Sequence, residues 1–293
     1  LCFHAATTTA LSGDRRLMSA WVLAIGVGAV GLSALYAVPL GDDLNRGLAF
    51  RPVQNIVGGL VIGVGMVVAR SCVTGLFFKL GAGMLGASAG LLGWAAGELL
   101  ARHVDLGGPT VLGGGADATV TGVLGLPRIV GAVVLLALGW LAARRQAATD
   151  GGWTPLVLGL ALGGALTAAW ALAAVGDSSF GPSSVGAVAS IADGDPRVWL
   201  IAFLAGLVVG GGIAARTSGT FELRGETPVR YGQLLLGGAL LGAGGWIAGG
   251  CNLGHGFSGA AQLNVSSFVI VASMVLGVAV AGPLREKIGR AHV

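Results

Sequence analysis

Hydrophobic and polar residues in this chain are sorted into long blocks rather than spaced at short periods. Eight mostly apolar stretches, 18–38, 53–69, 84–101, 128–145, 155–175, 198–214, 233–249 and 266–283, are separated by shorter segments that hold the polar residues. A helix crossing a bilayer needs about 20 such residues at 1.5 Å rise each. The pattern therefore predicts an all-α polytopic membrane protein with about eight spans.

The charges between the blocks predict an orientation. Asp14, Arg15 and Arg16 precede the first block, and Asp42, Asp43 and Asn45 follow it. If spans simply alternate, Arg15/Arg16, Arg144/Arg145, the basic 216–230 loop and the terminal Arg285, Lys287 and Arg290 share one side. The Asp-rich loops 39–46 and 176–195 fall on the other. Lys and Arg are in excess in cytoplasmic loops, so a cytoplasmic C-terminus is expected.

Composition strengthens the membrane reading. Of the 293 residues, 54% are hydrophobic and 10% charged, against about 25% charged in a soluble domain. The 55 glycines suit helices whose backbones approach closely in lipid. A net charge of +4, confined mostly to loops, signals orientation and no nucleic-acid partner. Three cysteines are too few and too scattered for a secreted disulfide framework. The opening "LCFHAATTTALSGDRRL" lacks a signal-peptide pattern, because its charges follow the short apolar patch. Further natural sequence ahead of Leu1 is expected.

The chain also repeats itself. Residues 51–75, "RPVQNIVGGLVIGVGMVVARSCVTG", align without gaps to 230–254, "RYGQLLLGGALLGAGGWIAGGCNLG". Identities include Arg51/Arg230, Gln54/Gln233, Gly58/Gly237, Gly65/Gly244, Ala69/Ala248 and Cys72/Cys251. Internal self-similarity of this kind marks a repeat architecture. The second block pairs with the seventh, an odd number of crossings later, so the two copies are expected to be antiparallel. Inverted repeats with interrupted helices are a recurring plan of transporters. The chain is thus one transmembrane transport domain, 1–293, with halves of approximately 1–145 and 155–293.

Each copy is expected to break at its cysteine and continue as a re-entrant segment. The string "GGCNLGHGFSG" at 249–259 carries more glycine than a spanning helix can use. A break at membrane depth is tolerated only where protein or water satisfies the freed backbone groups, so it predicts a cavity or pathway. Read singly, Cys72 and Cys251 are small buried hydrophobes; a disulfide would close the pathway, and zinc needs more ligands than the two and His255 supply. At matched breaks they can instead be soft, neutral hydrogen-bonding partners for an anion that carries sulfur.

"ARSCVTGLFFKLGAG" and "GGCNLGHGFSG", with the N-terminal "CFHAATTTALSGDRRL", resemble the YeeE/YedE family of sulfur-transport membrane proteins over nearly the whole chain. The resemblance implies an hourglass-like inverted repeat in the bacterial inner membrane, thiosulfate uptake, and three functional cysteines, matching Cys2, Cys72 and Cys251. It also implies a membrane helix ahead of Cys2, which would make nine spans with the N-terminus outside, and a small cytoplasmic TusA-like sulfur carrier as partner. Thiosulfate is expected to meet Cys251 first and to pass by Cys72 to Cys2 through S–H hydrogen bonds, with Asn252 and His255 lining the outer funnel. No G-x-x-x-x-G-K-[ST] loop is present and no cofactor is expected. Lys79 either attracts the anion or snorkels to headgroups, Arg51 and Arg230 anchor helix starts at the interface, and Glu98 receives no role. The alternatives are a carrier of another sulfur or selenium compound and a membrane thiol oxidoreductase or sulfurtransferase.

Overall fold

The computed structural model describes residues 2–148 and 152–290, with only the backbone described over 284–290. The side chains of the terminal basic cluster, Arg285, Lys287 and Arg290, lie outside the described residues. Helices follow one another as α1 (Phe3–Leu11), α2 (Arg16–Leu35), α3 (Pro52–Ala69), α4 (Val73–Gly81), α5 (Gly86–Ala101), α6 (Val120–Val123), α7 (Arg128–Ala143), α8 (Pro155–Val175), α9 (Ala187–Ala192), α10 (Val198–Thr217), α11 (Pro228–Ala248) and α12 (Val265–Arg290). Among the described residues, β-pairing is limited to isolated bridges. The chain is all-helical, as the block pattern predicts.

Local chemistry places the helix starts. Pro52, Pro155 and Pro228 open α3, α8 and α11, where the missing N–H costs nothing. Thr154 and Thr227 cap α8 and α11 by accepting the N–H groups of Val157 and Arg230.

Every apolar block is a helix, but they differ in reach. Among the described residues, five segments are long and apolar enough to cross a membrane: Arg16–Leu35, Pro52–Gly81, Pro155–Val175, Val198–Thr217 and Val265–Pro283. The blocks at 84–101 and 128–145 form α5 and α7, of only 16 residues each. The block at 233–249 forms α11, 21 residues long, whose glycines dilute its apolar character. Large apolar side chains such as Val133, Leu138, Leu172, Val209 and Val280 lie exposed on α7, α8, α10 and α12. Bilayer lipid is the solvent that such faces fit.

The core is built around α3 and α11. Helix α11 packs along both α5 and α3, α3 packs along α12, α2 packs against α7 and α8, and α10 lies on α4. Glycine makes the α3–α11 contact close: a Cβ at Gly58 would lie 2.6 Å from the Ala248 nitrogen, and one at Gly237 would collide with Ala69. Gly58 thus sits level with the end of α11 and Gly237 level with the end of α3, so the helices run antiparallel. Small residues at such a seam permit the backbone approach that drives helix association in lipid.

Candidate functional site

Two helices of the core stop short, and the three cysteines lie at the stops. Helix α3 ends where Arg70 turns left-handed, with φ 52°; the Ser71 N–H then reaches back to the Met66 carbonyl at 3.2 Å. Cys72 follows in extended backbone and is the residue immediately before α4. Helix α11 ends at Gly249, with φ 77°, and the Gly250 N–H returns to the Gly245 carbonyl at 2.9 Å. Cys251 follows, then a π-helical turn over Gly254–Gly259, a rare form that is frequent at functional sites.

Side chains from other elements satisfy the carbonyls freed at these stops, as a buried break demands. Arg230 of α11 donates to the Val68 carbonyl at 3.1 Å and also to that of Ala69. Asn55 of α3 donates to the Ala248 carbonyl at 3.1 Å. Each broken helix therefore has its end capped from the first turns of the other. Arg230, expected from the sequence to anchor a helix start, thus also closes the end of α3. Lys79 turns back to the Arg70 carbonyl at 3.1 Å, adding a third cation-borne or amide cap at the breaks.

Helix α1 brings Cys2 to Cys72. Phe3 is buried against Trp21, ring centroids 5.3 Å apart, and this pins the start of α1 to α2. The Cys2 and Cys72 sulfurs then lie 3.5 Å apart, and Cys72 Sγ also lies 3.2 Å from Thr74 Oγ1. Cys72 is fully buried and Cys2 partly so. The hydrogen bond to Cys72 and burial both push the Cys2 thiol well above its ordinary value, so it stays protonated and uncharged.

At the other break Cys251 is likewise buried. Its sulfur accepts a hydrogen bond from Ser184 Oγ at 3.0 Å and one from the Leu253 N–H at 3.3 Å. Ser258 Oγ donates to the Pro182 carbonyl at 2.6 Å, stapling the serine-bearing segment to the π-helical turn. A cavity of about 330 Å³ lies beside this break, lined by Val185, Gly186, Ser190, Trp246 and Gly249 and by the charged Asp193, Asp195 and Arg197.

Asn252 and His255 flank Cys251 but differ in what they leave free. Asn252 is buried, and its Oδ1 has no hydrogen-bond partner among the described residues. His255 uses both ring nitrogens: Nε2 lies 3.2 Å from the Ala248 carbonyl and Nδ1 2.9 Å from Ser267 Oγ. A carbonyl only accepts, so Nε2 carries the proton and the bare Nδ1 accepts the serine hydroxyl. The ring lies so close over Gly250 that a Cβ there would stand 2.6 Å from Cδ2. That explains one glycine of the motif sterically.

The structure thus gathers the predicted residues into two groups, Cys2 with Cys72 and Cys251 with Asn252 and His255. The stretches Gly58–Ala69 and Gly237–Ala248 set the two helix ends about 16 Å apart along the shared axis. Sequence reasoning missed Ser184, Thr74 and Asn55. Thr74 and Asn55 lie within the repeated stretch, but neither is matched in its second copy, and Ser184 sits in a loop with no periodicity.

Apolar helices packed through glycine, with breaks buried and capped at their centre, define a multi-pass membrane protein of the transporter class. The chain matches the sulphur-transport family over residues 1–280 and belongs to that family. It is 30% identical over 254 residues to the thiosulfate transporter TsuA of Spirochaeta thermophila, a match covering 77% of this chain and 75% of that protein. It is 27% identical over 297 residues to the thiosulfate transporter TsuA of Escherichia coli K12, covering 90% and 83%. The protein is a transporter, not an enzyme.

Proposed function

We propose that this protein takes thiosulfate into the bacterial cell across the inner membrane, through a pathway on which cysteine thiols act as successive hydrogen-bond stations. The observation that carries the reading is the 3.5 Å contact between Cys2 and Cys72 at a broken helix, in a chain whose relatives are named thiosulfate transporters. Soft, weakly donating S–H groups suit the terminal sulfur of thiosulfate and release it as readily as they hold it.

An inverted repeat is the architecture that goes with this. The reciprocal seam supports it: Gly58 against Ala248 is answered by Gly237 against Ala69, and Gly65 against Leu241 by Gly244 against Ile62. These are the residues that the sequence repeat equates. In that frame α4 and the 254–259 turn are the two re-entrant segments, and eight helices cross the membrane with the C-terminus in the cytoplasm.

Thiosulfate arrives through the cavity over α11, meets Cys251 and Asn252, then moves to Cys72 and Cys2. His255 contributes by holding the break open, since both its nitrogens are engaged. The helix ends are farther apart than one hydrogen bond spans, so the ion travels between two stations rather than being handed directly from thiol to thiol. A small TusA-like sulfur carrier on the cytoplasmic side would receive it. The test is uptake of radiolabelled thiosulfate by vesicles containing the purified protein. Uptake above protein-free vesicles, competed by unlabelled thiosulfate and not by equimolar sulfate, is expected; uptake equal to that of empty vesicles would refute the assignment.

A further inference from the structure

Glu98 is the acidic residue of α5, a helix otherwise made of small and apolar side chains. It is fully buried, 0% exposed. An ionisable group within a membrane bundle is expensive and is retained where it does something. Its Oε1 accepts two backbone hydrogen bonds, from the Gly186 N–H at 3.0 Å and the Ala189 N–H at 3.1 Å. Its Oε2 has no hydrogen-bond partner among the described residues. Just past the end of α5, Arg102 pairs with Asp193 at 2.5 Å. Helix α5 therefore grips the 186–193 segment at two points, one buried and one exposed.

That segment continues directly from the serine that touches Cys251. Ser184 is fully buried, and its hydroxyl donates to Cys251 Sγ at 3.0 Å. With the Leu253 N–H also donating to that sulfur, the Cys251 sulfur accepts twice, and its own S–H is the group left to offer to a passing ion. A one-residue or sub-ångström slip of the 184–189 backbone would withdraw the serine hydroxyl, because a hydrogen bond weakens steeply with distance and angle. A carboxyl oxygen suits the grip, because one atom with two lone pairs takes both N–H donors at once.

We propose that Glu98 is a positioning residue for the outer cysteine: through Gly186 and Ala189 it holds Ser184 in register on Cys251 and thereby fixes how that thiol is presented to the pathway. The proposal rests on Cys251 being a station for the transported ion, but its test reads the thiol itself and needs no transport. In a chain with Cys2 and Cys72 changed to Ala, Cys251 is the sole thiol, and its alkylation rate by a small neutral reagent in vesicles reports its hydrogen bonding. The thiolate is the attacking form, and donors to sulfur favour it. S184A should therefore slow alkylation roughly three- to tenfold, the equivalent of one hydrogen bond. E98A, which removes the acceptor, and E98D, which pulls it back by one methylene, should slow it in the same direction, E98A more. Combining either with S184A should add nothing further, because both act through one bond.

A purely structural Glu98 would behave differently. The variants would lower the melting temperature while Cys251 in the folded protein reacted at the parent rate, and that result overturns the proposal. Slowing that multiplies with that of S184A overturns it as well, since the two residues would then act independently. Neither outcome bears on thiosulfate uptake, which is measured separately with all three cysteines in place.

Discussion

Cys2 and Cys72 stand 70 positions apart in the chain and have their sulfurs 3.5 Å apart in the fold. The contact depends on α1, whose Phe3 is buried on Trp21 of α2, and on the break that turns Cys72 out of α3. Mild oxidation of membranes containing the protein should join Cys2 to Cys72, which needs only a small approach to reach bonding distance, and should leave Cys251 free. Mapping the disulfide by mass spectrometry checks this. A Cys2–Cys251 or Cys72–Cys251 product in its place would contradict the arrangement.

The same pair predicts a pH effect. The hydrogen bond to Cys72 is the first cause pushing the Cys2 thiol up, ahead of burial. Removing it in C72A should lower the titration of Cys2 toward the ordinary thiol range. The thiolate fraction at a given mildly alkaline pH then rises, so Cys2 alkylation measured in a C251A background should be faster in C72A than with Cys72 present. Equal rates would show that burial alone governs this thiol.

Arg230 caps the end of α3 from the opposite helix. R230A leaves buried carbonyls without that donor and should destabilise the protein by about 1–3 kcal/mol, read as a lower melting temperature in detergent. R230K restores one charged donor but not the fork, and should recover part of the loss. N55A, which strips the Ala248 carbonyl of one of its two donors, should cost less than R230A, because His255 still serves that oxygen.

At the α3–α11 seam, G58A would place a methyl 2.6 Å from the Ala248 nitrogen, against backbone that has little room to give. Overpacking of this kind costs about 1–3 kcal/mol. G237A meets Ala69 in the same way and should match it closely. By contrast G164A, where an added Cβ meets nothing within 4 Å, should be neutral or slightly stabilising. Thermal unfolding of the three variants side by side decides the point.

Much of this fold is legible in the chain. All eight apolar blocks are helices, because length and hydrophobicity in a run report burial in lipid directly. The breaks at Cys72 and Cys251 were legible too, since "ARSC" and "AGGC" end glycine-rich runs at matched positions. What could not be read was tertiary. Nothing local in "LCFHAATTTALSGDRRL" says that α1 folds back onto Cys72, and "GPSSVG" at 181–186 carries no period that would mark Ser184 as a partner of Cys251. Glu98 stood out as a carboxyl in an apolar block, but its partners are two backbone N–H groups, which leave no trace in sequence. His255 was expected to face the ion; its two protein bonds became visible only with Ala248 and Ser267 in place.

The central claim is that thiols at both breaks pass the ion, and the initial rate of thiosulfate uptake by vesicles carrying C72A or C251A tests it most directly. Each variant should fall at least about tenfold below the parent protein, on the scale of one lost hydrogen-bond station, with the folded amount unchanged. If both variants took up thiosulfate at the parent rate, the cysteines would be packing residues and the proposed pathway would be wrong.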